Sequence, residues 1–292
     1  MSKNLIVWIL AFLITAASAW YQRVTGPTYP LSGTEFLGSR SIHYRLERSH
    51  GGDSGAPVAI IVPDTSVSGT LEWRRFGTDD AWTSVGLRRE GDGLLGGLPL
   101  QPPAGRLQYR VTLHRSSDSL SIPPEGAAVI RFKGDVPAAV LAVHILLMFA
   151  AMLFSTRTGL SAFSGGENIG KLSALTIGLM TAGGLVLGPV VQKYAFGAYW
   201  TGWPLGTDLT DNKTVAALAA WITVALVQKR VRRPNLWALA AAVVTLAVFM
   251  IPHSLFGSEL DYRGLNGRTP PSVSVLAPVN PDECAPDRGR HG

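Results

Sequence analysis

Between Gln192 and Trp221, Tyr199, Trp200 and Trp203 bring three aromatic faces together with Asp208, Asp211 and Lys213. Two carboxylates, an ammonium and stacked rings form a set that can bind a partner or a ligand. The rings alternate with Gly197, Gly202, Pro204 and Gly206, which suits a shaped surface loop. Rings at this density also form the interfacial belt of membrane proteins, so both readings stand. The run Asp208-Leu209-Thr210-Asp211-Asn212-Lys213 likewise reads as a functional carboxylate pair or as a helix start capped by Thr210 or Asp211. Two histidines add to the set: His144 lies within an apolar run, and His253 follows Pro252 at the end of another. Imidazoles from two spans could ligate a haem iron or relay a proton. The alternative is a buried hydrogen bond for His144 and an interfacial position for His253.

Other chemistry is missing from the pattern. No metal-ligand spacing, nucleophile motif or paired carboxylates in an apolar setting occur, and His43, His50 and His114 are scattered. Asp79-Asp80 reads as a turn, and the lone Cys284 cannot form an internal disulfide. No catalytic residue and no metal site is therefore assigned, and the chain is not expected to be an enzyme. The tightest basic cluster is Lys229, Arg230, Arg232 and Arg233, directly after an apolar run. That is the pattern of a cytoplasmic loop rather than of a nucleic-acid surface.

The elements that must position these residues are membrane helices. Of 292 residues only 16% are charged, against about 25% in a soluble domain. The deficit is concentrated in five apolar runs: Leu5–Ala19, Val136–Phe154, Leu172–Val191, Val215–Val227 and Leu236–Ile251. The first ends in Ala17-Ser18-Ala19, which resembles a signal-peptidase site, and reads as a cleaved signal peptide or a retained anchor. The fourth is short for a span. Five spans with the Lys229–Arg233 loop inside put the N terminus inside, loop 192–213 outside, and the C-terminal tail outside. Gly184 and Gly188 lie one turn apart in the third run, where a second helix can approach closely.

Residues from about Gly33 to Lys133 read as all-β. Val58–Val62 is a short apolar strand, and Thr70–Arg74 and Leu107–Leu113 alternate in polarity. Gly91-Asp92-Gly93 and Pro102–Gly105 supply turns. The order Leu71-Glu72-Trp73-Arg74, Trp82, Gly91 to Pro99, then Pro103-Ala104-Gly105 to Val111 resembles extracytoplasmic immunoglobulin-like or fibronectin-III-like modules. That resemblance covers about a third of the chain and implies a β-sandwich with Tyr109 as its corner tyrosine. It says little of function.

A second resemblance concerns the loop. Gly197-Ala198-Tyr199-Trp200, then Trp203-Pro204, Asp208 and Trp221, is similar to the tryptophan-rich loop of haem-handling cytochrome c assembly proteins. It implies His144 and His253 as haem ligands and Trp200 and Trp203 as a platform for the porphyrin. The stretch departs from that family in lacking an acid directly before Pro204 and in having no histidines flanking the loop.

The expected architecture is thus a membrane α-helical protein with an inserted, extracytoplasmic all-β sandwich. Residues 1–22 form the anchor or signal peptide, 23–133 the sandwich, 134–252 four further helices with the aromatic loop 192–213, and 253–292 an outer tail, extended or disordered from about Gly264 onward. The expected role is an integral-membrane accessory or assembly protein of the cell envelope, in the plasma (inner) membrane of a bacterial-type cell. It would contact a membrane-protein partner or further copies of itself through the β domain and the loop, without a cofactor. The alternatives are a haem-handling protein of cytochrome c biogenesis or membrane electron transfer, and a small transporter in which Asp208, Asp211 and His144 line a polar path. The absence of an internal repeat counts against the transporter.

Overall fold

A computed structural model describes residues 2–165, 168–206 and 209–252, together with Leu260 and Tyr262. The chain forms two compact units, one of residues 1–29 and 134–258 and one of residues 30–133 and 259–292.

The second unit is all-β. Its strands among the described residues are β1 (Leu31–Leu37), β2 (Arg40–Leu46), β3 (Ser49–Gly51), β4 (Ala56–Ile61), β5 (Ser68–Arg75), β6 (Thr83–Gly86), β7 (Arg88–Glu90), β8 (Gly93–Leu98), β9 (Arg106–Arg115), β10 (Asp118–Ile122) and β11 (Ala128–Lys133). One sheet runs β3-β11-β9-β5-β6 with β10 also on β9, a second runs β4-β8-β7, and β1 and β2 form a hairpin. Alternation explains β9: Leu107, Tyr109, Val111 and Leu113 point to one face and are fully buried. They meet Ile60, Leu94 and Leu98 from the second sheet and Leu37 and Leu46 from the hairpin in one core, which gives the unit its sandwich character.

The outer face of the large sheet is laced by charge. Trp82 lies between the guanidinium groups of Arg74 and Arg110, 4.7 and 4.8 Å from its ring centre. Asp79-Asp80 is more than a turn. Asp80 takes two bonds from Arg75, at 2.5 and 3.0 Å, and that partner holds its carboxyl below the usual carboxylate range. Tyr109 corrects the expectation of a corner tyrosine. Its hydroxyl donates to Glu47 O at 2.7 Å, 62 residues upstream, so it ties β9 to the β2–β3 junction instead of closing a local corner. Tyr262, assigned from sequence to the tail, packs into this unit. Its hydroxyl accepts from Arg106 N at 2.9 Å and lies 3.0 Å from Gln101 Oε1, while Arg75 stacks on its ring. Burial pushes the Tyr262 phenol up to about 12. The extended or disordered tail expected from about Gly264 onward lies outside the described residues.

The other unit is helical: α1 (Lys3–Thr25), α2 (Ala138–Phe163), α3 (Ile169–Met180), a π-helical segment Thr181–Leu187, α4 (Gly188–Phe196), α5 (Leu209–Val227) and α6 (Pro234–Met250). Among the described residues, three helices are long and apolar enough to cross a membrane: Lys3–Thr25, Ala138–Phe163 and the continuous Ile169–Phe196. α6 is apolar but shorter, and α5 begins with a polar turn. α2 extends nine residues past the expected Phe154. Its added turns carry buried Ser155, Thr158, Gly159 and Ser161, and a side chain on Gly159 would strike Ala242 of α6 at 2.5 Å. Polar but small residues continue a helix when a neighbour packs against them, and hydropathy alone does not register that.

Both ends of this unit are polar. At one end Lys3 reaches Ser164 O at 3.4 Å, Arg157 bonds Asn4, and Gly170 faces Gln228. The basic Lys229–Arg233 segment comes directly after Gln228, so the cations of three chain segments gather there. The aromatic loop forms the opposite end.

Candidate functional site

The loop is shorter than its sequence suggests, because Gln192–Phe196 continues α4. The helix stops at Gly197, whose φ of +83° only glycine adopts freely and whose N–H closes on Lys193 O at 2.9 Å. Lys193 then crowns the end, its ammonium donating to Gly197 O at 2.7 Å and lying over the Tyr199 ring.

Beyond Tyr199, the loop is held by the first turn of α5. Buried Asp211 accepts from the backbone N–H of Thr201 at 2.8 Å and of Gly202 at 3.0 Å with the same oxygen, Oδ2. Asn212 Oδ1 accepts from Trp203 N at 2.7 Å. Gln192 donates from α4 to Thr201 Oγ1 at 2.5 Å. Three consecutive backbone donors are thus taken up by two adjacent side chains. Gly202 is required for this: a Cβ there would lie 2.6 Å from Asp211 Cβ and 2.7 Å from Asn212 Oδ1. A Cβ on Gly206 would strike Thr201 O. The Trp203–Pro204 peptide is cis, and Trp200 Nε1 donates to Trp203 O at 3.2 Å, closing the loop on itself. Sequence read Asp211 as half of a carboxylate pair or as a helix cap; these bonds place its carboxylate on the backbone of the preceding loop.

The loop shows its apolar side outward. Trp203 is 77% exposed, Leu205 79% and Tyr199 59%, whereas Trp200 is half-buried. Lys213, itself buried, donates to Ile251 O at 2.7 Å, just past the end of α6. A cation there also suits the helix dipole. Gln22 of α1 donates to Phe249 O at 2.6 Å and to the same Ile251 O at 3.2 Å. Together they fasten α1 and α5 to the end of α6. Gln22, Gln192, Thr201 and Asn212 are site residues that sequence reasoning missed. The available signal was a pair of glutamines at the ends of apolar runs.

His144 lies on α2, and its Nδ1 is 2.9 Å from Gly183 O in the π-helical segment. A carbonyl only accepts, so Nδ1 carries the proton and a neutral ring leaves Nε2 with its lone pair. The same carbonyl also accepts from Gly188 N. The expected glycine pair divides. A Cβ on Gly184 would meet Thr214 of α5 at 2.6 Å, whereas one on Gly188 would find nothing nearer than 3.7 Å. The second tight contact falls on Gly183, 2.9 Å from Leu147 of α2. The wider π turn brings adjacent glycines, rather than glycines four apart, against two neighbours. Trp221 is buried in the helical core with its indole N–H on Thr245 Oγ1 at 2.9 Å, so it is no part of the loop surface. Asp208 and His253 lie outside the described residues. Among the described residues no group of three or more His, Cys, Asp or Glu could hold a metal ion.

No protein-family model and no curated protein matches the chain. A solved structure described as the FN1-FN3 domains of chicken CNTN1 is similar over 37% of this chain and 44% of that one, at 20% identity and a TM-score of 0.22. That TM-score is too low to decide the fold of the β unit, which rests on its own strand order and core.

Proposed function

We propose that the protein is an integral-membrane accessory or assembly factor of the cell envelope that binds another membrane protein through its loop. The observation that carries this reading is the Asp211–Asn212 clamp. A buried carboxylate and an amide fix a short loop whose exposed rings, Tyr199 and Trp203, contribute nothing to the core. A rigid apolar loop loses little entropy on binding, and tryptophan and tyrosine are the side chains that dominate such contacts.

The proposed topology has five spans, with the β unit, loop and tail outside the cytoplasm. Tyr262 returns the chain to the unit it left at Lys133. Around a bilayer, that return needs an even number of crossings. With α2 and the Ile169–Phe196 helix crossing, α5 and α6 then cross together or not at all. The gathering of Lys3, Arg157 and Lys171 with the Lys229–Arg233 loop at one end supports a cytoplasmic location for that end. A fibronectin-III-like identity for the β unit belongs to the same proposal.

A photoreactive amino acid at Trp203, in intact cells, tests the partner. The expected result is a discrete protein adduct that disappears on Asp211→Ala, with the protein still in the membrane. Adducts to lipid alone would overturn the reading and leave the rings as an interfacial belt. One observation favours haem handling as a second reading: His144 donates its Nδ1 proton to a backbone carbonyl, as histidines that bind iron through Nε2 commonly do. An absorption spectrum of the gently solubilised protein, oxidised and then reduced, tests it. A Soret band lost in His144→Ala supports it, and a featureless spectrum with haem supplied during growth removes it.

A further inference from the structure

The polar end opposite the loop contains a cleft of about 350 Å³ between the start of α1 and the end of α2, lined by Lys3, Asn4, Val7, Arg157, Ser161, Ser164 and Asn168. Its described lining supplies two cations, two hydroxyls and two amides, with no carboxylate among the described lining residues. Arg157 is only partly used. It bonds Ser161 Oγ and Asn4 Oδ1 and stacks on Trp8 at 5.2 Å, but its buried Nε has no hydrogen-bond partner. Lys3 makes one long bond, 3.4 Å, to Ser164 O. Neither cation pairs with an acid among the described residues. α3 begins beside the cleft at Asn168, whose side chain makes no cap bond.

We propose that this cleft binds a phosphate group, namely that of an anionic phospholipid headgroup at the membrane surface. Arg157 and Lys3 supply charge-assisted bonds to its oxygens, and Ser161, Ser164 and Asn4 supply neutral ones. The acyl chains then lie along the apolar outer faces of α1 and α2. Basic clefts between spans at a cytoplasmic surface are suited to such headgroups. The proposal rests on the membrane reading but not on the loop's having a partner.

The test uses the full chain, extracted in mild detergent with an equimolar mixture of phosphatidylglycerol and phosphatidylcholine, and native mass spectrometry of the lipid retained. Selective retention of phosphatidylglycerol is expected. Lys3→Gln should lower it about fivefold, the equivalent of one surface cation, and Arg157→Gln should lower it further. The Arg232→Gln/Arg233→Gln double variant removes two cations from the same end but outside the cleft, and should leave retention unchanged. If Arg157→Gln does not fold, Lys3→Gln carries the comparison. Equal retention of the two lipids, or equal losses in the Lys3 and Arg232/Arg233 variants, overturns the proposal. So does protection by inorganic phosphate without retained lipid, which would make the cleft a site for the free anion. Resistance of the protein to alkaline extraction from membranes reports separately on the membrane reading.

Discussion

The β unit and the helical unit bury opposite kinds of residue. The core of the β unit is Leu37, Leu46, Ile60, Leu107, Phe132 and their like. The helical core is built largely from alanine (Ala151, Ala217, Ala238, Ala241 and Ala242) around Trp221, while Leu146, Ile222, Leu226 and Val243 face outward. Water drives large apolar side chains inward. Lipid tails solvate them as well as protein does, so helix packing there selects residues small enough for close approach. The buried Trp221 is the largest exception, and its indole N–H has the partner, Thr245, that a buried polar group needs.

Removing a large core residue should expose the contrast most strongly. Phe132→Ala should destabilise the β unit by about 3–5 kcal/mol, seen as loss of its cooperative thermal transition while the helical signal in detergent persists. If both transitions fall together, the units do not have separate cores. A sharper comparison uses two outward residues of equal exposure, Leu146 at 67% on α2 and Phe36 at 66% on β1. Leu146→Lys should lower membrane insertion by about 3 kcal/mol, whereas Phe36→Lys should change stability by no more than about 0.5 kcal/mol. Glycosylation-tag mapping reads the first and thermal unfolding the second. Similar effects would mean that both surfaces see the same solvent.

The smallest effect concerns acid. Arg75 holds the Asp80 carboxyl below its usual range. The stability this pair supplies is therefore full above the unfolded carboxylate value of about 4 and is lost as pH falls through the lowered folded value. Both side chains are about a third exposed, so the contribution is under about 1 kcal/mol. Asp80→Asn should flatten the acid limb of β-unit stability and leave the neutral plateau lowered, followed by tryptophan fluorescence, since Trp82 stacks on Arg74 next to that pair.

Much of this was legible from residue order. Alternation in Thr70–Arg74 and Leu107–Leu113 located β5 and β9, and apolar runs located the helices. β1 and β2 fall almost wholly within the stretch read as all-β, but no individual strand stood out there because Gly33, Gly38 and Ser39 interrupt the apolar alternation. The site was half legible. Aromatic and acidic residues in one stretch flagged it, but the clamp joins Thr201 to Asp211 and Gln192 across a turn, and no spacing rule encodes that pairing.

Composition and periodicity by themselves determined that the chain has apolar helices and an inserted β unit, because burial of apolar surface acts on every residue according to its own type. The tertiary structure alone decided which polar groups meet. It assigned Asp211 to the loop backbone, Lys213 and Gln22 to the end of α6, His144 to a π-helical carbonyl, and Tyr262 to the β unit. Each of those bonds depends on the position of a backbone atom contributed by a distant segment, and that position exists only once the segments have packed.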